Sequence, residues 1–164
     1  MASRSVLPVA ILVFLIAGFV LHVIALATPE WSTFGVNGTF VRQGLFQTCF
    51  ADKCHRIENP SDNVKASVAF GVMGCLALLA AASCSFFSLV KEVDGDMAPR
   101  IARVLCFLTS SAAATLIVIC VITYVTNETE GVTPDIGFSL ESTISAAGCL
   151  GIALLLQAVS LIRC

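Results

Sequence analysis

The sequence predicts an all-α transmembrane four-helix bundle that carries a small extracellular antiparallel β-sheet, formed mainly by the first loop. Three observations point there. The chain of 164 residues is 57 % hydrophobic and only 12 % charged, with a mean hydropathy of +0.94, where a soluble domain carries about 25 % charged residues. Four stretches, about 6–28, 66–90, 101–125 and 140–162, each match the ~20 mostly apolar residues that a helix needs to cross a bilayer core. The one long polar segment, between the first two, alternates aromatic and β-branched residues with Gly, Asn and Asp, which is strand and turn chemistry.

These stretches occupy more than half the chain, so one membrane domain over 1–164 is expected. Its connections are loops at about 29–65 and 126–139 and a turn at about 91–100. The first stretch follows Arg4 and ends Ala25-Leu26-Ala27, a pattern that signal peptidase can cut. Its apolar run over 6–27 is longer than the roughly 7–15 residues of a signal core, so an uncut first helix is expected.

Orientation rests on several weak signals that agree. Lys and Arg divide almost evenly, with Arg4, Lys91, Arg100, Arg103 and Arg163 on the side of the termini and Arg42, Lys53, Arg56 and Lys65 on the other, so the positive-inside rule barely decides. Asn37-Gly38-Thr39 and Asn127-Glu128-Thr129 fit the N-glycosylation sequon and fall on the loop side. A disulfide in that loop would persist only in an oxidising compartment. The expectation is a multi-pass plasma-membrane protein with both termini in the cytosol and Asn37 as the better glycan acceptor, because Asn127 follows the third helix closely.

Within the first loop the chain reads as extended pieces at 32–36, 39–42, 44–50 and 54–57, with Asn37-Gly38 a strong hairpin signal. Cys49 and Cys54 are spaced to face each other across a tight hairpin, where a disulfide's Cα separation of about 5.5–6 Å is met. The small ring that they close contributes about 2 kcal/mol. The rival reading is a metal pair, but His55 alone does not complete a zinc site. Trp31 stands where the first helix leaves the membrane, and Leu45 and Phe46 beside the cystine are expected to turn down onto the membrane or under the sheet.

Taken together, Trp31, Gly44-Leu45-Phe46, Cys49 and Cys54 resemble the W…GLW…C…C signature of the claudin superfamily, whose branches include claudins, epithelial membrane proteins, peripheral myelin protein and a lens fibre membrane protein. The stretch 38–46 through 52–54 is most similar to the lens-fibre branch. The resemblance covers four helices and their loop lengths, and it implies a role at cell contacts. Phe46 stands where the family has Trp, which keeps an apolar ring and loses an N–H donor. Lys65 stands where the family often has Arg, which keeps the charge and loses the fork geometry. The terminal residues 161–164 lack the tail by which typical claudins engage junction scaffolds, and this argues against a scaffold role.

The remaining residues fit packing. Small residues crowd the second stretch (Gly71, Gly74, Ala77, Ala81) and let helices approach closely in lipid. His22 and Gln157 are candidates for hydrogen bonds between helices. Cys84, Cys106 and Cys164 lie near the cytosolic ends, where S-palmitoylation is possible, and Cys75, Cys120 and Cys149 read as small hydrophobes. No catalytic constellation is present around the two histidines, and no cofactor is expected. The expected partners are membrane lipid and copies of this chain or related membrane proteins, in cis or in trans; no nucleic acid is expected. Alternatives are an auxiliary subunit of an ion channel or receptor and a paracellular pore former.

Overall fold

The computed structural model describes residues 6–36, 39–50, 53–93, 100–128 and 135–162. Four helices, α1 (Val6–Ala27), α2 (Asp62–Val93), α3 (Arg100–Glu128) and α4 (Phe138–Ile162), form the bulk of the protein. All four are long and apolar enough to cross a membrane. The shortest, α1 with 22 residues, is about 33 Å long at 1.5 Å per residue, against a hydrocarbon core of about 30 Å.

Helix α2 starts at Asp62, a full turn before its apolar stretch. The reason is a cap: the Val64 amide reaches Ser61 Oγ at 3.4 Å, and the Lys65 amide donates to the Ser61 carbonyl at 3.0 Å. A serine at this position satisfies amides that have no partner within the helix. Hydropathy locates the span, whereas the cap sets where the helix begins.

The helices close a ring in which α1 packs on α2 and α4, and α3 packs on the same two neighbours. At its centre lie Ile11, Leu15, Leu78, Ala81, Ala113, Ile117, Leu150 and Ala153. The three alanines are fully buried, so the backbones approach closely, as lipid-embedded helices require. Ala81 and its neighbour Ala77 thus serve packing within the chain. Large apolar side chains point outward instead, with Val13, Leu76, Leu108 and Leu155 all more than half exposed. Such an outside would associate in water, but lipid tails solvate it.

Polar groups inside the bundle are bonded between helices. His22 of α1 donates from Nε2 to the Gly71 carbonyl of α2 at 3.0 Å. Gln157 of α4 donates from Nε2 to Ser110 Oγ of α3 at 3.1 Å. Cys120 points its thiol at the Ser67 carbonyl, 3.2 Å away.

Between α1 and α2 the first loop folds into β1 (Ser32–Val36), β2 (Thr39–Gln43), β3 (Gln47–Phe50) and β4 (Lys53–Arg56). These pair as an antiparallel meander, and a fifth strand, β5 (Asp135–Ile136) from the second loop, joins the free side of β1 to give the order β4-β3-β2-β1-β5. Gly44, Leu45 and Phe46 make the turn between β2 and β3 and are not part of a strand.

Candidate functional site

The sheet is held on the bundle by the residues around the exit of α1. Trp31 is fully buried, and its indole Nε1 donates to the Ala25 carbonyl of the last helical turn at 2.8 Å. The N–H therefore bonds the helix end and does not reach water as at a membrane interface. Its ring lies 4.9 Å from that of Tyr124 on α3, tilted by 56°, within the range in which aromatic pairs attract. Tyr124 OH shares a hydrogen bond of 3.0 Å with Ser32 Oγ and donates to the Gln43 carbonyl at 3.4 Å. One aromatic pair thus ties α1, α3, β1 and β2 together.

Gly44 makes the second tie. A Cβ at this position would stand 2.6 Å from Pro29 Cα and 3.2 Å from the Thr28 carbonyl oxygen, so only glycine lets the β2–β3 turn lie against the chain leaving α1. The Gly44 amide donates to the Gln47 carbonyl at 2.9 Å and closes that turn. Leu45 is buried with Trp31, Leu26, Cys120, Tyr124 and Leu140, under the sheet as expected. Phe46 is 45 % exposed, at the edge of a groove that Arg56, Ile57, Pro60, Lys65 and Val68 also line. Lys65 pairs with Asp62 at 2.9 Å, and both side chains are largely in solvent, where an ion pair adds little stability.

The third tie comes from the start of α4. Ser139 is fully buried; its Oγ is 2.7 Å from Thr28 Oγ, and it accepts from the Glu30 amide at 3.2 Å. The Ser139 amide donates to the Glu30 carbonyl at 2.9 Å, and the Gly137 amide donates to the Trp31 carbonyl at 3.2 Å. At Gly137 a Cβ would collide with the Glu30 carbonyl. Sequence reading missed this latch; the available signal was Gly137 immediately before Phe138-Ser139, a small residue where two backbones meet.

Cys49 and Cys54 stand opposite each other in the β3–β4 register and form a disulfide with a Cα separation of 4.0 Å. Directly opposed residues approach more closely than average cystines do, about 4.5 Å in the narrower antiparallel pairs. With both thiols in the bridge, neither is free to hold a metal. Among the described residues no group of three or more His, Cys, Asp or Glu could do so.

The opposite end of the sheet exposes aromatic side chains among the described residues. At the end of β2 and β3 away from the Gly44 turn, Phe40 and Phe50 are 76 % and 53 % exposed. Strand β4, with Lys53, His55 and Arg56, is exposed along its whole length and forms an open edge. Arg42 and Glu30, paired at 2.8 Å, are partly in solvent.

The modification candidates scatter. Asn37 and Cys164 lie outside the described residues. Asn127 falls within the last turn of α3. Cys84 is half-buried, and Cys106 is buried with its sulfur 3.8 Å from Ser88 Oγ.

No family model matches the chain. Over 62 residues, 38 % of the chain, it is 31 % identical to the lens fiber membrane intrinsic protein of Homo sapiens. This aligned stretch spans 36 % of the relative's length. The chain is a multi-pass membrane protein with a disulfide-linked sheet, and it is similar to that lens protein over about a third of the relative's length.

Proposed function

We propose that this is a non-enzymatic membrane protein of claudin-like type, which makes contacts between cells through its sheet. In this reading the sheet faces the extracellular space, both termini lie in the cytosol, and Asn37 is the glycan acceptor. Cys84, half-buried near the opposite end of α2, is the more accessible acylation candidate. The partial similarity to the lens fiber membrane intrinsic protein supports the family assignment, together with Trp31, Gly44, Leu45, Cys49 and Cys54 in the expected order.

The observation that carries the contact-making role is the exposed aromatic pair at the sheet's far end. Phe40 and Phe50 expose aromatic surface at the sheet's far end, where a lone water-facing ring gains nothing and a partner surface would bury it. The open β4 edge offers unpaired backbone groups to a neighbouring strand. Lys53 and Arg56 on that edge discourage pairing with a like-charged strand, so an acidic or neutral partner edge fits.

Cells expressing the chain are expected to aggregate. The double substitution Phe40→Ser/Phe50→Ser should abolish aggregation while leaving surface density unchanged, because neither ring is part of the core. Equal aggregation by the double variant at matched surface density would refute the contact-making role of this pair.

A further inference from the structure

Where the sheet meets the start of α2, a groove of about 270 Å³ opens beside Phe46. Backbone bonds fix its walls. The Ile57 amide donates to the Phe46 carbonyl at 3.2 Å, which ties the Gly44 turn to the chain leaving β4, and Ser61 caps the helix that forms the other side. The lining divides by chemistry: Leu45, Phe46, Ile57 and Val68 are apolar, whereas Arg56 and Lys65 bring two cations to the same space. Leu45 is buried under the sheet, but Phe46 is 45 % exposed, an apolar ring that the core does not cover.

Both cations keep donors for a ligand. Arg56 lies on the exposed strand β4 and forms no ion pair among the described residues, and its guanidinium carries five N–H donors. Lys65 Nζ directs one N–H to Asp62 at 2.9 Å, and an ammonium has two more. That pair stands in solvent, with the Asp62 side chain 96 % exposed, so it holds Lys65 only weakly. Glu58 is exposed on the segment between the two cations and does not line the groove.

The groove stands at the level of lipid headgroups. Helix α2 has 32 residues and is about 48 Å long at 1.5 Å per residue, against a hydrocarbon core of about 30 Å, so its first turns project beyond the core. Below Lys65, Ala69, Val72 and Leu76 follow at intervals of four, three and four residues, the spacing of one helix stripe. Val72 and Leu76 are 43 % and 62 % exposed, so an apolar track leads from the groove down the outside of the bundle. We infer that the groove seats the phosphodiester of a membrane phospholipid. Arg56 and Lys65 donate to its phosphate oxygens, Phe46 and Ile57 cover the glycerol, and one acyl chain lies along Val72 and Leu76. A carboxylate on a partner protein would meet the same cations but would not use the track below them; a phospholipid uses both. The volume is close to the lower end of ligand pockets, about 300 Å³, and suits a phosphate with its glycerol while the chains stay outside. The inference holds for either orientation of the chain and does not depend on the contact-making role of the sheet.

The test purifies the full chain in a detergent that carries no phosphate and adds equal amounts of dioleoyl-phosphatidylcholine and dioleoylglycerol. The latter has the same acyl chains and lacks the phosphate. Bound lipid is then measured by native mass spectrometry. Phosphatidylcholine should be bound about tenfold over the diacylglycerol, the factor that a hydrogen bond to a charged group supplies. The double substitution Arg56→Gln/Lys65→Gln changes only exposed side chains, so the thermal melt should stay in place while the preference drops toward one. Lys53→Gln removes a cation from the same strand outside the groove and should leave the preference at tenfold. Equal binding of the two lipids, as for a groove that takes an acidic peptide, would overturn the proposal. So would an unchanged preference in R56Q/K65Q, or an equal loss in K53Q. Competition by soluble glycerophosphocholine as effective as that by phosphatidylcholine would overturn the bilayer lipid as the source of the phosphate.

Discussion

Trp31 ties the exit of α1 to α3 through two different interactions. Its N–H bonds the last turn of α1, and its ring packs on Tyr124 of α3. The substitution Trp31→Phe keeps an aromatic ring and removes the donor, leaving the Ala25 carbonyl with only a weak contact from Thr28 Oγ at 3.4 Å. A buried carbonyl that loses its partner costs about 1–3 kcal/mol, so the variant should unfold earlier in a thermal melt in detergent. An unchanged melt would show that the indole hydrogen bond contributes nothing net. The importance of Trp31 was legible in the sequence as a lone tryptophan at the end of an apolar run. Its burial was not, since burial depends on Tyr124, 93 positions later, lying across it. Phe46 differs in the other direction: adjacent to buried Leu45 and equally apolar, it is half in solvent, because in a turn two neighbouring side chains cannot both face inward.

At the scale of elements, the sheet and the fourth helix form one unit. Strand β5 has only two residues, too few for any periodicity to reveal, yet with Gly137 and Ser139 it ties the start of α4 to the exit of α1. Alanine at position 137 would push its Cβ into the Glu30 carbonyl, an overpacking that costs about 1–3 kcal/mol. Hydrogen exchange should then show loss of protection at the Gly137 and Ser139 amides, while amides in the middle of α2 stay protected. The four longer strands were readable from turn residues and aromatic content, and the Cys49–Cys54 pairing from a spacing that suits one hairpin. Helix α2 begins a turn before its apolar stretch because Ser61 caps it, a signal that hydropathy does not carry.

For the whole molecule, the arrangement of lysines makes the proposed orientation testable. Lys53 and Lys65 are exposed on the sheet side, and Lys91 lies near the other end of α2. A membrane-impermeant amine reagent applied to intact cells should label Lys53 and Lys65, and should label Lys91 only after permeabilisation. The reverse pattern would invert the topology and remove the basis for an extracellular role of the sheet.

The sequence by itself determined that the chain crosses a membrane through four apolar helices, and that the polar loop between the first two forms strands closed by a cystine. These properties follow from composition and short-range spacing, which act within one segment at a time. Only the tertiary structure decided that Trp31 is buried, that β5 completes the sheet, and that Gln157 of α4 bonds Ser110 of α3. Each of these requires residues distant in the chain to meet, and their meeting depends on how the helices close the ring, which local propensity does not specify.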